Sequence, residues 1–132
     1  MDRPRIRLGS DTSWLELVHT GGEDWRVTAD WCSSLTADFE ACLTFGEVAD
    51  FAARVLSRLS APDGHAFSED VTPGRNNPLR LTGDPSGDGY AFYATLTPNG
   101  DDSVCLLRME MDPVDAGELR DLFGSLLASL AR

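Results

Sequence analysis

Residues 35–59, LTADFEACLTFGEVADFAARVLSRL, change their apolar period once, and that change decides the fold. From 35 to 45, Leu35, Ala37, Phe39, Ala41, Leu43 and Phe45 alternate with mostly polar neighbours, the pattern of a half-buried antiparallel strand. From Val48 onward the apolar residues are Val48, Phe51, Ala52, Val55, Leu56 and Leu59, which is helical spacing. Between the two, Thr44-Phe45-Gly46-Glu47 has the form of a capping box, with Leu43 and Val48 placed as its staple. A strand therefore runs directly into an amphipathic helix, which ends near Ser60, before Pro62.

Working back from this point, DWRVTADWC (24–32) alternates Trp25, Val27, Ala29 and Trp31 against Arg26, Thr28 and Asp30. If these share a core face with Ala37–Leu43, a three-residue loop Ser33-Ser34-Leu35 joins the two strands. It pairs Trp31 with Ala37, Ala29 with Phe39, Val27 with Ala41 and Trp25 with Leu43. SWLELVHT (13–20) reads as a preceding strand, closed by the turn GGED.

Working forward, residues 61–77 are turn-formers without a period, and a loop of that length is a functional candidate. Strands follow at PLRLT (78–82), GYAFYATLT (89–97) and DSVCLLRMEM (102–111). Asn99-Gly100 marks the hairpin between the last two. A short turn there pairs Leu96 with Ser103, Ala94 with Cys105, Phe92 with Leu107 and Tyr90 with Met109. The closing helix starts with Asp112 as N-cap, Pro113 at the first position and Asp115 at the third. Its stripe is Leu119, Leu122, Phe123, Leu126, Leu127 and Leu130. The sum is a single α+β domain over 1–132. It is a two-layer sandwich of one largely antiparallel meander sheet of about six strands and two helices, in the order β-β-β-α-β-β-β-α.

Composition limits the function. The formal net charge is −11, and every one of the eleven basic residues is arginine. Such a chain lacks the clustered cations that phosphate backbones demand, which excludes nucleic acid as the expected partner. It suits a basic protein partner reached by electrostatic steering. No apolar run approaches the ~20 residues of a membrane helix. MDRPRIRLG carries no apolar segment of a secretory signal behind its charges, so a cytoplasmic location is expected. The absence of lysine and glutamine matches a GC-rich bacterial genome, an actinobacterial one by preference. Cys32, Cys42 and Cys105 are odd in number and without a C-x-x-C motif, which predicts reduced, packed thiols and neither disulfide nor zinc site.

Catalytic and metal chemistry find little footing. RMEMDPVD (108–115) gathers three carboxylates, but Asp112 and Asp115 are placed to cap a helix and Glu110 lies on an outer strand face. General acid–base work needs two acids converging on a pocket, one of them desolvated. DPSGDG (84–89) resembles the start of a calcium loop, yet Thr95 stands where the bidentate acid belongs, so it reads as a turn. His19 and His65 have no nucleophile motif beside them. Neither a cofactor nor a metal is expected, nor enzymatic activity.

The surface offers more. On the outer face of the last hairpin, Tyr93 is expected opposite Leu106, Thr95 opposite Val104 and Ala91 opposite Arg108. An aromatic and two aliphatic residues rimmed by Arg108 and Glu110, with Asp101 and Asp102 at the hairpin tip, form a candidate protein-binding patch.

The order of elements, together with Ala29-Asp30-Trp31, the strand around Phe39, helix residue Phe51 and Asn77-Pro78-Leu79, resembles WapI-type immunity proteins and related small actinobacterial domains. The resemblance implies a cytoplasmic, non-enzymatic protein that blocks the toxic domain of a cognate polymorphic toxin. The alternative from the residues alone is an intracellular adaptor or complex subunit whose sheet face packs on a partner.

Overall fold

The computed structural model describes residues 3–60, 64–101 and 105–131. The chain runs β1 (Arg5–Gly9), β2 (Ser13–Gly21), β3 (Asp24–Trp31), β4 (Leu35–Cys42) and α1 (Phe45–Leu59). It then repeats the pattern with β5 (Phe67–Asp70), β6 (Leu79–Ser86), β7 (Gly89–Leu96), β8 (Leu107–Asp115) and α2 (Ala116–Leu130). The α+β class is as expected. Two antiparallel four-stranded sheets, β1-β2-β3-β4 and β5-β6-β7-β8, replace the expected single sheet of about six strands.

The two added strands have separate causes. In β1 only two apolar residues, Ile6 and Leu8, alternate with exposed Arg5 and Arg7, too short a run to stand out in the sequence. Strand β5 lies inside the stretch expected to be structureless, because its second inward residue is a carboxylate. Phe67 and Glu69 both point inward, and Glu69 is tolerated there because Arg54 and Arg58 of α1 reach its two oxygens at 2.9 and 3.0 Å. A buried charge needs this pairing, and the period-two signal is lost with it.

Helix α1 forms as its sequence indicates. Thr44 accepts from the Glu47 amide at 3.0 Å, and Glu47 returns a bond to the Thr44 amide at 2.9 Å. Ser60 closes the helix. Val48, Phe51, Ala52, Val55 and Leu59 are buried. The two helices meet through Phe51 and Phe123, whose rings lie edge to face at 6.1 Å. Ile6, Leu8, Leu15 and Leu17 of the first sheet, Leu79 and Leu81 of the second, and these two phenylalanines surround one point in the interior. Both sheets and both helices therefore share one core.

Two hairpins keep their faces and change their register. Trp31 pairs with Leu35, Ala29 with Ala37, Val27 with Phe39 and Trp25 with Ala41, two residues away from expectation. The turn is tighter than expected: Ser34 N–H donates to the Trp31 carbonyl at 2.9 Å, with Cys32 and Ser33 at positive φ. Positive φ at both central residues is what a type I′ turn requires, and it is met here without the usual Asn-Gly.

In the last hairpin Leu96 pairs with Leu107, Ala94 with Met109 and Phe92 with Met111, a shift of four. The connection lengthens because Pro98–Gly100 forms a short 3-10 turn. Gly100 has φ +70, and a Cβ on it would collide with Asn76 and the Asn77 backbone. A tertiary dock of this loop thus overrides the local Asn-Gly hairpin signal.

Even shifts preserve which side chains face inward, so the core survives both errors. Trp25, Val27, Phe92, Ala94 and Met111 are buried as expected. Trp31 is not: it is 38% exposed at the hairpin tip. Cys105 falls before β8 and is exposed, as are Cys32 and Cys42, so the expectation of packed thiols fails. The helix start also moves. Strand β8 continues through Pro113, and Asp115 is the N-cap, accepting from Gly117 N–H at 2.9 Å and Glu118 N–H at 3.3 Å. As the last strand of its sheet, β8 tolerates a proline.

Candidate partner-binding face

Strands β6, β7 and β8 carry two parallel rows of side chains on the outer face of the second sheet. Thr82, Tyr93 and Glu110 form one row, and Arg80, Thr95 and Arg108 the next. Tyr93 donates its hydroxyl to Glu110 Oε2 at 3.4 Å, a long contact. The Arg108 guanidinium lies 5.0 Å from the centre of the Tyr93 ring, within cation–π range. Arg80 is engaged by Asp70, at 2.7 Å. Neither Arg108 nor Glu110 forms an ion pair among the described residues.

The β3–β4 hairpin tip reaches this edge of the second sheet. Trp31 and Leu35, directly opposite each other, join Tyr93, Leu107, Arg108, Met109 and Glu110 around an open cleft of about 400 Å³. Leu35 is 54% exposed, more than Trp31. A large aromatic and a leucine left in solvent beside a tyrosine form an apolar strip, whose burial would favour a complex.

The structure brings together Tyr93, Arg108 and Glu110 from the expected patch, with Glu110 rather than Leu106 opposite Tyr93. Leu106 precedes β8 and is 50% exposed. It lines a neighbouring polar recess with Arg75, Asn77, Thr95 and Thr97. Thr95 faces Arg108, and Ala91 sits at a bulge without the partner expected for it. Asp101 is exposed after the 3-10 turn; Val104 and Asp102 lie outside the described residues. Trp31 and Leu35 are the residues that sequence reasoning missed, having been given to the core and to the loop. Residues 5–9 are taken up as β1, paired with β2 in the first sheet.

The remaining polar groups have local duties. Asp112 accepts from Ser10 Oγ at 2.7 Å and Thr12 Oγ1 at 3.2 Å, joining β8 to the β1–β2 turn. DPSGDG forms the end of β6 and the turn into β7. His19 packs against Trp25 and Phe45 at ring distances of 5.1 and 4.7 Å. Among the described residues no three His, Cys, Asp or Glu side chains gather as a metal site would require. Arg75 bonds both oxygens of Glu47 at 2.9 Å, and this contact, with help from the Thr44 amide, pulls the Glu47 carboxyl down to about 2. No helix among the described residues is long and apolar enough to cross a membrane.

Comparison with known proteins adds little. No family model and no curated protein matches the chain. Among solved structures it is similar to the plant transcriptional regulator PBF-2, at 13% identity and a TM-score of 0.48. The match covers 98% of this chain and 81% of that one. A likeness so slight carries neither fold nor function across.

Proposed function

We propose that this chain is a non-enzymatic, cytoplasmic protein-binding domain, most concretely an immunity protein of the WapI type that covers a basic surface of a cognate toxin. The observation that carries the reading is the cleft where exposed Trp31 and Leu35 stand beside half-buried Tyr93 and Glu110, a carboxylate without an ion pair among the described residues. Apolar anchors surrounded by polar groups are the usual anatomy of a binding hot spot. The net charge of −11 favours a basic partner and fast encounter. Arg108 favours a second reading, an adaptor or complex subunit, because a cation within the face suits a partner of mixed charge.

The test is growth rescue. The toxin domain encoded beside this chain's gene is expressed in a sensitive bacterium with and without the chain. Rescue by the native chain, lost with Trp31→Ala or Glu110→Arg, supports the first reading. Continued growth arrest in the presence of the folded native chain removes it. A stable complex with a non-toxic neighbour-encoded protein, weakened by the same substitutions, supports the second.

A further inference from the structure

The cleft has a property that a flat patch lacks. Its lining includes Leu107 and Met109, which belong to the inner face of β8, together with Arg108 and Glu110, which belong to the outer face. Successive side chains of a strand point to opposite sides, so residues of both faces line one cleft only alongside the strand's edge. Strand β8 ends the order β5-β6-β7-β8 and has such an edge.

The direction of its backbone groups follows from one contact. Ser13 Oγ, from the other sheet, donates to the Glu110 carbonyl at 2.7 Å, so the polar groups of Glu110 point away from β7. Those of Arg108, two residues earlier, point the same way. Ser13 takes the Glu110 carbonyl, and Trp31 and Leu35 wall the cleft beyond.

We propose that this edge accepts an extended segment of the partner as an added strand. The inference rests on the protein-binding reading above and names how the partner is held. Residues 107–110 extend over roughly 10 Å, enough for three or four partner residues. The occupant is specified by charge. Side chains opposite Arg108 and Glu110 share the outer face, so an acid faces Arg108 and a base faces Glu110. The residue between them points inward, against Trp31 and Leu35, and is apolar. Read in the direction of β8, the recognised pattern is acid, apolar, base, so the segment lies extended and parallel to β8.

The probe is a capped synthetic peptide with aspartate, leucine and arginine in succession, framed by threonine and valine. It is titrated into the ¹⁵N-labelled full chain and followed by NMR. The expected result is a saturable shift of the Arg108 amide and the Trp31 indole. Methylating the peptide amide that faces β8 should weaken binding about tenfold, the worth of one backbone hydrogen bond. Arg108→Pro removes the outward N–H at an edge position that proline tolerates, and should weaken binding about tenfold relative to Arg108→Ala. Should that variant fail to fold, the methylated peptide decides alone.

Absence of binding at millimolar peptide overturns the proposal, as does binding indifferent to methylation. A dimer of the free chain with these amides already protected overturns it too, because a second copy then occupies the edge. If strand addition falls while Trp31→Ala and Glu110→Arg still abolish rescue, the face stands without it. If those substitutions are silent as well, the face itself is misassigned.

Discussion

The outer faces of the two sheets are built from similar residues and end differently. On the first sheet, Arg26 clamps Asp38 with two bonds of 2.7 and 2.6 Å, which raises the arginine and lowers the carboxyl from their ordinary values. Arg7 lies 4.2 Å over the Trp14 ring. One pair of charges answers across the strands there, and Trp14 is only half-exposed beneath its arginine. The second sheet repeats both devices, with Asp70 on Arg80 and Arg108 over Tyr93. What differs is that Trp31 and Leu35 stand in solvent beside Arg108 and Glu110, neither of which has an ionic partner among the described residues. A face whose large side chains are covered is only solvated. A face with charges next to exposed apolar surface is poised to bind.

The sharpest way to break this contrast is to exchange tryptophans. Trp31→Ala should weaken partner binding roughly thirtyfold, about 2 kcal/mol, as loss of a central anchor does. Trp14→Ala, on the first sheet's face, should change affinity less than about threefold, because contacts outside a hot spot are near neutral. Equal losses, read by titration calorimetry on folded variants, would erase the distinction.

Charge reversal gives the next effect. Glu110→Arg should slow association about tenfold at low salt, with the difference shrinking as salt rises. Asp38→Arg breaks an exposed pair on the other face and should leave the association rate near its native value. Stopped-flow rates at two salt concentrations check both.

A third measurement asks whether the two faces are held by one structure. Arg75, just before β6, bonds Glu47 at the start of α1 and the Cys42 carbonyl at the end of β4, joining the two halves of the chain. Glu47 sits near 2 when folded and near its ordinary 4.5 when unfolded. Its contribution is therefore complete above about pH 4.5 and is lost as the pH falls towards 2. Allowing for its partial exposure, about 1–2 kcal/mol is at stake. Glu47→Gln should flatten that part of the stability–pH curve measured by urea unfolding. An unchanged slope would contradict the link.

Much of the fold was legible where local and tertiary demands agree. The capping box at Thr44–Glu47 and the stripe from Val48 to Leu59 needed no outside information. The errors share a cause: a distant contact decided what the local pattern left open. Strand β5 was hidden because Glu69 depends on two arginines of α1. The last hairpin slipped by four because Gly100 docks on Asn76. Helix α2 began three residues late because Asp112 is held by Ser10 and Thr12, leaving Asp115 to cap. The binding face was half legible: Tyr93, Arg108 and Glu110 follow from strand parity, which even slips preserve. Trp31 and Leu35 did not, because Cys32 and Ser33 adopt positive φ with no Asn-Gly to announce the turn.

The same turn yields the smallest predicted effect. Cys32, Cys42 and Cys105 are exposed and should all react with a thiol reagent without denaturant. Labelling Cys32, next to Trp31, should weaken partner binding about threefold, whereas labelling Cys42 should not, since contacts away from the anchors are near neutral. Slow reaction of any of the three thiols, measured by mass spectrometry, would place it in a less open setting.

The central claim, that binding belongs to the second sheet's outer face and the β3–β4 tip, is tested most directly by hydrogen exchange of the chain alone and in complex with its partner. Protection on binding should concentrate at residues 31–36 and 106–111 and leave the outer-face strands at 5–8 and 24–28 unchanged. Protection confined to those first-sheet strands, or absent at 106–111 in a stable complex, would contradict the account.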